Sequence, residues 1–160
     1  MADFTVVELT AEETHPLRRA VLRNDTPTDV VAFAEDEAAG TTHLGVRNAD
    51  GIVAVSSWIP RPFLGEPAVQ LRGMATAPSI QGRGVGTLLL ESGCQRAASI
   101  APLVWARARD SALPFYLRHG FTVEGDGFID ESTQKPHHLI MRRLDEQPLV
   151  ELGAFMDQAP

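Results

Sequence analysis

Three glycines alternate over five positions in the stretch QGRGVGTLLLES, residues 81–92, with Arg83 among them and an apolar run directly behind. Val85, Leu88 and Leu89 recur at i, i+3 and i+4, so the run reads as an amphipathic helix. Glycine costs conformational entropy on folding, and close approach of backbone to a ligand is the usual compensation. The first N–H groups of a helix have no internal partners, and the helix dipole adds positive potential there. Removing Cβ atoms lets an anion reach those groups and permits the backbone angles that an anion nest needs. A helix-entry turn alone would need one glycine. Three glycines and an arginine suit a diphosphate, bound through the backbone N–H groups of Gly82, Arg83, Gly84, Val85, Gly86 and Thr87, with Gln81 at the head of the loop as a further candidate contact.

Two well-known phosphate loops do not match. A P-loop requires lysine and then serine or threonine after its last glycine, and here Thr87 and Leu88 follow Gly86. A dinucleotide fold requires GxGxxG early in a βαβ unit, with an acidic residue about 20 positions on. Here the spacing is GxGxG, and it falls in mid-chain.

The surrounding pattern predicts a single α/β (α+β) domain over 1–144 and an acidic tail over 145–160. A first strand covers 4–9. Thr10 and Glu13 match a capping box, and helical character resumes after Pro16. Residues 29–38 read as a second, acidic helix. Strands at 41–47 and 52–59 form a hairpin around Asn48-Ala49-Asp50-Gly51, and a proline-rich loop spans 60–67. A strand over 69–77 carries Gly73 in its middle, which marks a bulge or a close backbone approach. The helix after the glycine loop runs to about residue 100. A strand at 103–108, a short helix closed by Gly120, and strands at 121–124 and 138–142 complete the order. Interspersed helices make the sheet mixed, with hairpins antiparallel and the strands flanking the 85–100 helix parallel.

The formal net charge of −7 argues against broad binding to nucleic acid or an anionic membrane. No apolar run approaches the ~18 residues of a membrane span, and MADFTVVELT lacks a signal-peptide core, so a cytoplasmic location is expected. Cys94 is the only cysteine, which rules out an internal disulfide and reads as a helix-packing thiol. Nothing in the sequence points to a metal.

QGRGVG matches the Q/R-x-x-G-x-G/A signature of the GNAT superfamily of acyl-CoA-dependent N-acyltransferases. Pro78 before the loop and FYLRHGF at 115–121 resemble further elements of that family, as does the strand order, over about residues 4–144. LRGMA before the loop and PHH-LIM after it resemble a bacterial subgroup of small GNAT enzymes. The resemblance implies a GNAT fold: a mixed, mostly antiparallel sheet with a splayed central parallel pair flanked by helices. It implies acetyl-CoA as co-substrate, its diphosphate on the glycine loop and its pantetheine arm paired with Met74, Ala75 and Thr76. It implies direct attack of a primary amine of a small molecule or peptide on the thioester, with Tyr116, the only tyrosine, as general acid.

The chain also departs from the family pattern. Gln70 stands where several relatives carry a glutamate base, and Arg107 stands where many carry asparagine. Arg107 is therefore a candidate contact to a CoA phosphate or to an acidic part of the acceptor. His137 is the candidate base, with His138, Glu35, Asp36, Glu131 and water as alternatives. Trp58, Phe63 and Phe128, with Asp36 or Glu131, are candidate contacts to a cationic amine with an apolar body, and Gln70 would border that pocket. His43 and His119 read as surface or packing residues. The tail, which contains LVELGAFM, is a candidate docking helix or dimer contact, with fraying as the alternative. A catalytically silent acyl-CoA-binding or sensor domain is the alternative to an enzyme.

Overall fold

The computed structural model describes residues 3–145, so all but the first residue of the predicted tail lies outside the described residues. Seven strands form one sheet: β1 (Thr5–Leu9), β2 (Thr42–Asn48), β3 (Gly51–Pro60), β4 (Val69–Thr76), β5 (Leu103–Arg109), β6 (Thr122–Ile129) and β7 (Pro136–Arg143). Their spatial order is β1-β2-β3-β4-β5-β7-β6. Every neighbouring pair is antiparallel except β4 and β5. That parallel pair needs a crossover, and α2 (Val85–Ala97) supplies it.

The predicted capping box forms. Thr10 N–H donates to Glu13 Oε1 at 2.8 Å, and Glu13 N–H donates to Thr10 Oγ1 at 3.2 Å. It opens a short irregular helix: a 3₁₀ turn at Glu12–Thr14, the α-helical turn α1 (His15–Leu17), and a π-helical stretch at Arg18–Leu22.

The sheet is covered on both faces because its strands alternate. From β3, Ala54 and Trp58 join the main core with Leu44, Val46, Leu89, Leu90 and Ile140. Val55, of opposite parity, packs with Leu9, Ala75 and the apolar side chains Leu17, Val21 and Leu22 of the first helical segment. Trp58 can pack against α2 because residue 93 is glycine, where a Cβ would fall 1.8 Å from the indole ring.

The helix predicted over 29–38 does not form; the segment runs as irregular chain and turns. Tertiary bonds override its local propensity. Arg18 is fully buried, and its Nη1 and Nη2 donate to Asp36 Oδ2 and Oδ1 at 2.8 and 3.0 Å. Arg18 Nη1 also donates to the Val31 carbonyl at 2.7 Å, and Phe33 N–H donates to Asp36 Oδ2 at 2.9 Å. The Phe33 ring is sandwiched between the guanidiniums of Arg18 and Arg72, at 3.9 and 4.0 Å from its centroid. Strand β6 runs to Ile129, beyond the predicted 124, so only residues 130–135 join it to β7.

Candidate active site

The register of β4 decides where a ligand can enter. Val55 pairs with Ala75 and Ser57 with Arg72, so two steps on β3 match three on β4. The extra residue is a bulge at Gly73, whose φ is +64°. A Cβ there would lie 2.9 Å from Phe33 Cε2 and 3.1 Å from Arg18 Nε, so conformation and space both require glycine. On its other side β4 pairs with β5 only from Val69 to Leu71. Beyond that point the strands separate, and Met74, Ala75 and Thr76 line a groove of about 620 Å³.

The glycine loop forms the next wall of the groove, with Gln81, Gly82, Gly84, Gly86 and Thr87. Gly84 is the N-cap of α2 at φ +80°. The first intrahelical bond is Leu88 N–H to the Gly84 carbonyl at 3.0 Å, which leaves the N–H groups of Val85, Gly86 and Thr87 without a helical partner. Val85 sends its side chain into the core, and Arg83 is exposed outside the groove lining. Thr87 Oγ1 lies 3.0 Å from His119 Nε2, and His119 Nδ1 lies 2.7 Å from the Phe115 carbonyl. His119 therefore ties the start of α2 to α3 (Leu113–Arg118), as a packing residue.

A second cavity, of about 170 Å³, opens on the far side of the bulge. Leu22, Met74, Arg109, Ala112 and Tyr116 line both spaces, so they meet there. The Tyr116 hydroxyl is 3.7 Å from Met74 Sδ. Its ring packs edge-on against Phe115 and Phe121, with centroids 5.3 and 5.4 Å away. Burial, with a smaller effect from Cys94, pushes the phenol above its ordinary value of 10.0.

The second cavity holds Gln70, Arg107 and His137 from the sequence-predicted set. Gln70 is buried and accepts from Arg61 Nη1 at 3.2 Å. His137 is buried, stacks on Phe128 at 5.9 Å, and has Nδ1 2.9 Å from the Lys135 carbonyl. Its Nε2 has no protein partner among the described residues. Arg107, a candidate contact to a CoA phosphate or to an acidic part of the acceptor, lines the second cavity and not the groove. It pairs with Asp130 at 2.8 Å and lies over the Phe128 ring. Burial opposes ionisation of Asp130, but bonds from Thr133 N–H, Ser132, Arg107 and the Thr133 hydroxyl outweigh it and hold the carboxyl well below the ordinary range.

Four expected acceptor contacts lie elsewhere. Trp58 is buried under α2 with its Nε1 donating to Ser56 Oγ at 2.8 Å. Phe63 stacks on Trp105 in a separate cluster. Glu131 is exposed outside both cavities, and Asp36 is consumed by Arg18. Sequence reasoning missed Arg23, Phe33, Arg72 and Arg109, which do line the second cavity. Only Arg109 had a signal, as the last residue of W-A-R-A-R two positions beyond Arg107. Among the described residues no cluster of His, Cys, Asp or Glu could hold a metal, and no helix is long and apolar enough to cross a membrane.

Comparison with known proteins agrees with this geometry. The family profile described as the Acetyltransferase (GNAT) domain matches residues 29–123. The chain is 30% identical to the uncharacterized N-acetyltransferase YitI of Bacillus subtilis over 127 residues, 77% of this chain and 85% of that one. Among solved structures it resembles Escherichia coli ElaA, with a TM-score of 0.72 at 18% identity, covering 89% of this chain and 99% of the other. It also resembles an aminoglycoside 6′-N-acetyltransferase complexed with coenzyme A, with a TM-score of 0.70 at 12% identity, covering 90% and 99%.

Proposed function

Because the chain belongs to the GNAT acetyltransferase family, we propose that it moves an acetyl group from acetyl-CoA to a primary amine of a small molecule or peptide. The observation that carries this reading is the meeting of groove and cavity at Tyr116 and Met74. One space fits an extended anionic ligand, the other a compact acceptor, and the join is where an acyl group would pass between them.

The residues present fit the cofactor. The free N–H groups at the start of α2 suit a diphosphate, and glycines 82 and 84 leave the approach open, while a Cβ at Gly86 would touch the Phe115 ring at 3.4 Å. The unpaired edge of β4 at Met74, Ala75 and Thr76 suits an amide-bearing pantetheine arm as a pseudo-strand. Gln81 Nε2 donates to the Thr76 carbonyl at 3.1 Å and would yield that acceptor to the arm. Acetyl-CoA supplies the acetyl group as an activated thioester.

The chain's own residues then carry the proton movements. Met74, lifted out of register by the bulge, offers its N–H to the negative charge that develops on the carbonyl oxygen. Tyr116 gives its proton to the thiolate sulfur as the C–S bond breaks and the C–N bond forms. Its raised pKa keeps that proton in place at neutral pH. His137, with Nδ1–H held by the Lys135 carbonyl, presents Nε2 to take the proton that the amine loses, directly or through water. Gln70 cannot fill that role, and it orients the acceptor as an amide.

The test is free-thiol release from acetyl-CoA across a panel of amines, with CoA binding followed by calorimetry. Tyr116→Phe should lower turnover about a hundredfold or more while CoA affinity stays within about twofold. CoA binding without turnover of any amine would favour a silent acyl-CoA-binding domain. Absence of CoA binding at millimolar concentration would end the acyl-transfer reading.

A further inference from the structure

The second cavity carries more positive charge than the protein neutralises. Four guanidiniums line it, those of Arg23, Arg72, Arg107 and Arg109, against the single carboxylate of Asp130. Two of the four are matched: Arg72 donates to Glu35 at 2.8 and 3.1 Å, and Arg107 donates to Asp130 at 2.8 Å. Arg23 and Arg109 have no carboxylate partner among the described residues.

Instead they converge on one backbone oxygen. Arg23 Nη1 donates to the Leu22 carbonyl at 3.2 Å, and Arg109 Nη2 donates to the same carbonyl. Arg23 Nε is held by the Val30 carbonyl at 2.6 Å. Two like charges thus stand side by side in a half-buried site, an arrangement that costs free energy until an anion relieves it. Burial, then Arg109 and Arg72, disfavours the charged form of Arg23, and burial does the same for Arg109; the nearby charge of Asp130 works the other way on both without outweighing these effects. A generally basic surface does not explain the pair, since the chain carries a net charge of −7. The cofactor's diphosphate does not explain it either, because no residue of the 81–87 loop lines this cavity and Arg23 does not line the groove.

We propose that Arg23 and Arg109 hold a carboxylate of the acceptor, so that the substrate is a compact amino acid or similar amino-carboxylate rather than a polycationic amine. The identification of the amine rests on the acyl-transfer reading above; the carboxylate site rests on the paired guanidiniums. Guanidinium and carboxylate match as planar, doubly bonded partners, and two guanidiniums can share one carboxylate. Arg109 lines both spaces, so a carboxylate held there sits close to the join, at the short distance from the amine that an amino acid provides. A polyamine would bring a second positive charge against the pair.

The test uses binding, so it does not depend on turnover. N-acetyl derivatives of the common amino acids are titrated into the protein, with and without saturating CoA, each beside its carboxamide, with N-acetylputrescine as a cationic comparator. At least one carboxylate should bind about tenfold tighter than its amide, as a charge-assisted pair requires. That margin should vanish in Arg23→Gln and partly return in Arg23→Lys, with thermal unfolding confirming that each variant is folded. The proposal is overturned if no carboxylate exceeds its amide by about threefold, if N-acetylputrescine binds tightest, or if Arg23→Gln keeps the margin. A carboxylate preference without thiol release would leave the site standing and remove the acyl-transfer reading; thiol release without the preference would do the reverse.

Discussion

The carboxylate of Asp36 takes both terminal nitrogens of Arg18, at 2.8 and 3.0 Å, in a site where the arginine has no exposed surface. Ser57 Oγ receives a further bond from Arg18 Nη2 at 2.8 Å and lies 2.7 Å from His43 Nδ1. This cluster pins the 29–38 segment against β3 and so sets the position of Phe33 in the cavity wall. Breaking one partner strands a buried charge. Asp36→Ala should cost about 3–5 kcal/mol in chemical denaturation, and pairing Arg18→Met with Asp36→Leu should recover much of that loss. A loss below about 1 kcal/mol for the single variant would contradict the buried pair.

The same carboxyl gives an acid signature. Burial works against its ionisation, but bonds from Arg18 and the Phe33 N–H and the Arg18 charge bring it below its ordinary value of 3.8. A group lowered on folding contributes stability that is complete above its unfolded value and lost as pH falls through the folded one. Stability should therefore decline below about pH 4, and the decline should flatten in Asp36→Asn. An unchanged slope in that variant, measured by denaturant titration across pH 2 to 5, would assign the acid sensitivity to other carboxylates.

Gly73→Ala puts a Cβ where φ is +64° and 2.9 Å from the Phe33 ring. Strain and displacement together should cost about 1–3 kcal/mol. Because Phe33 and Arg72 move with the bulge, the acceptor KM should rise more than the CoA dissociation constant. Equal effects on both would mean that the bulge serves the groove alone.

Gly84→Ala isolates backbone strain, since no atom lies within 4 Å of the added Cβ while φ is +80°. The left-handed conformation costs an alanine about 1–2 kcal/mol. If the loop must keep this shape to receive the diphosphate, CoA affinity should fall about tenfold by calorimetry. Unchanged affinity would move the diphosphate off the loop.

Burial raises Tyr116 above 10.0, so it should keep its proton throughout the assay range. Turnover should rise from pH 7 towards 10 as the acceptor amine loses its proton, with no alkaline fall below about pH 10. A fall with an apparent pKa near 8 or 9 would remove Tyr116 as the acid.

Cys94, buried on α2, has its thiol pushed up to about 12 by burial and by Glu91, against an opposing effect of Arg142. It should resist a thiol reagent at pH 8 until denaturant is added, and Cys94→Ala should leave turnover within about twofold. Rapid labelling of the native protein would contradict its place in the core.

Local chemistry determined a large part of this protein before any folding. The glycines at 82, 84 and 86 ahead of an apolar helix specify a side-chain-free helix start, and Gly73 inside a strand specifies the bulge, because each departure from ordinary residue use has few physical explanations. The alternation of strands and helices specifies the mixed sheet in the same way. The acceptor cavity is different in kind. Arg23 follows the first helical segment, Phe33 lies in the loop beyond it, Arg72 is on β4, Arg109 ends β5 and Asp130 follows β6, and nothing in their spacing links them. The fold of the 29–38 segment was hidden too, since a buried arginine drew its backbone away from the helix its composition favours. Periodicity and glycine use report on neighbours along the chain, whereas the charge of a cavity is the sum of residues that only the folded sheet brings together.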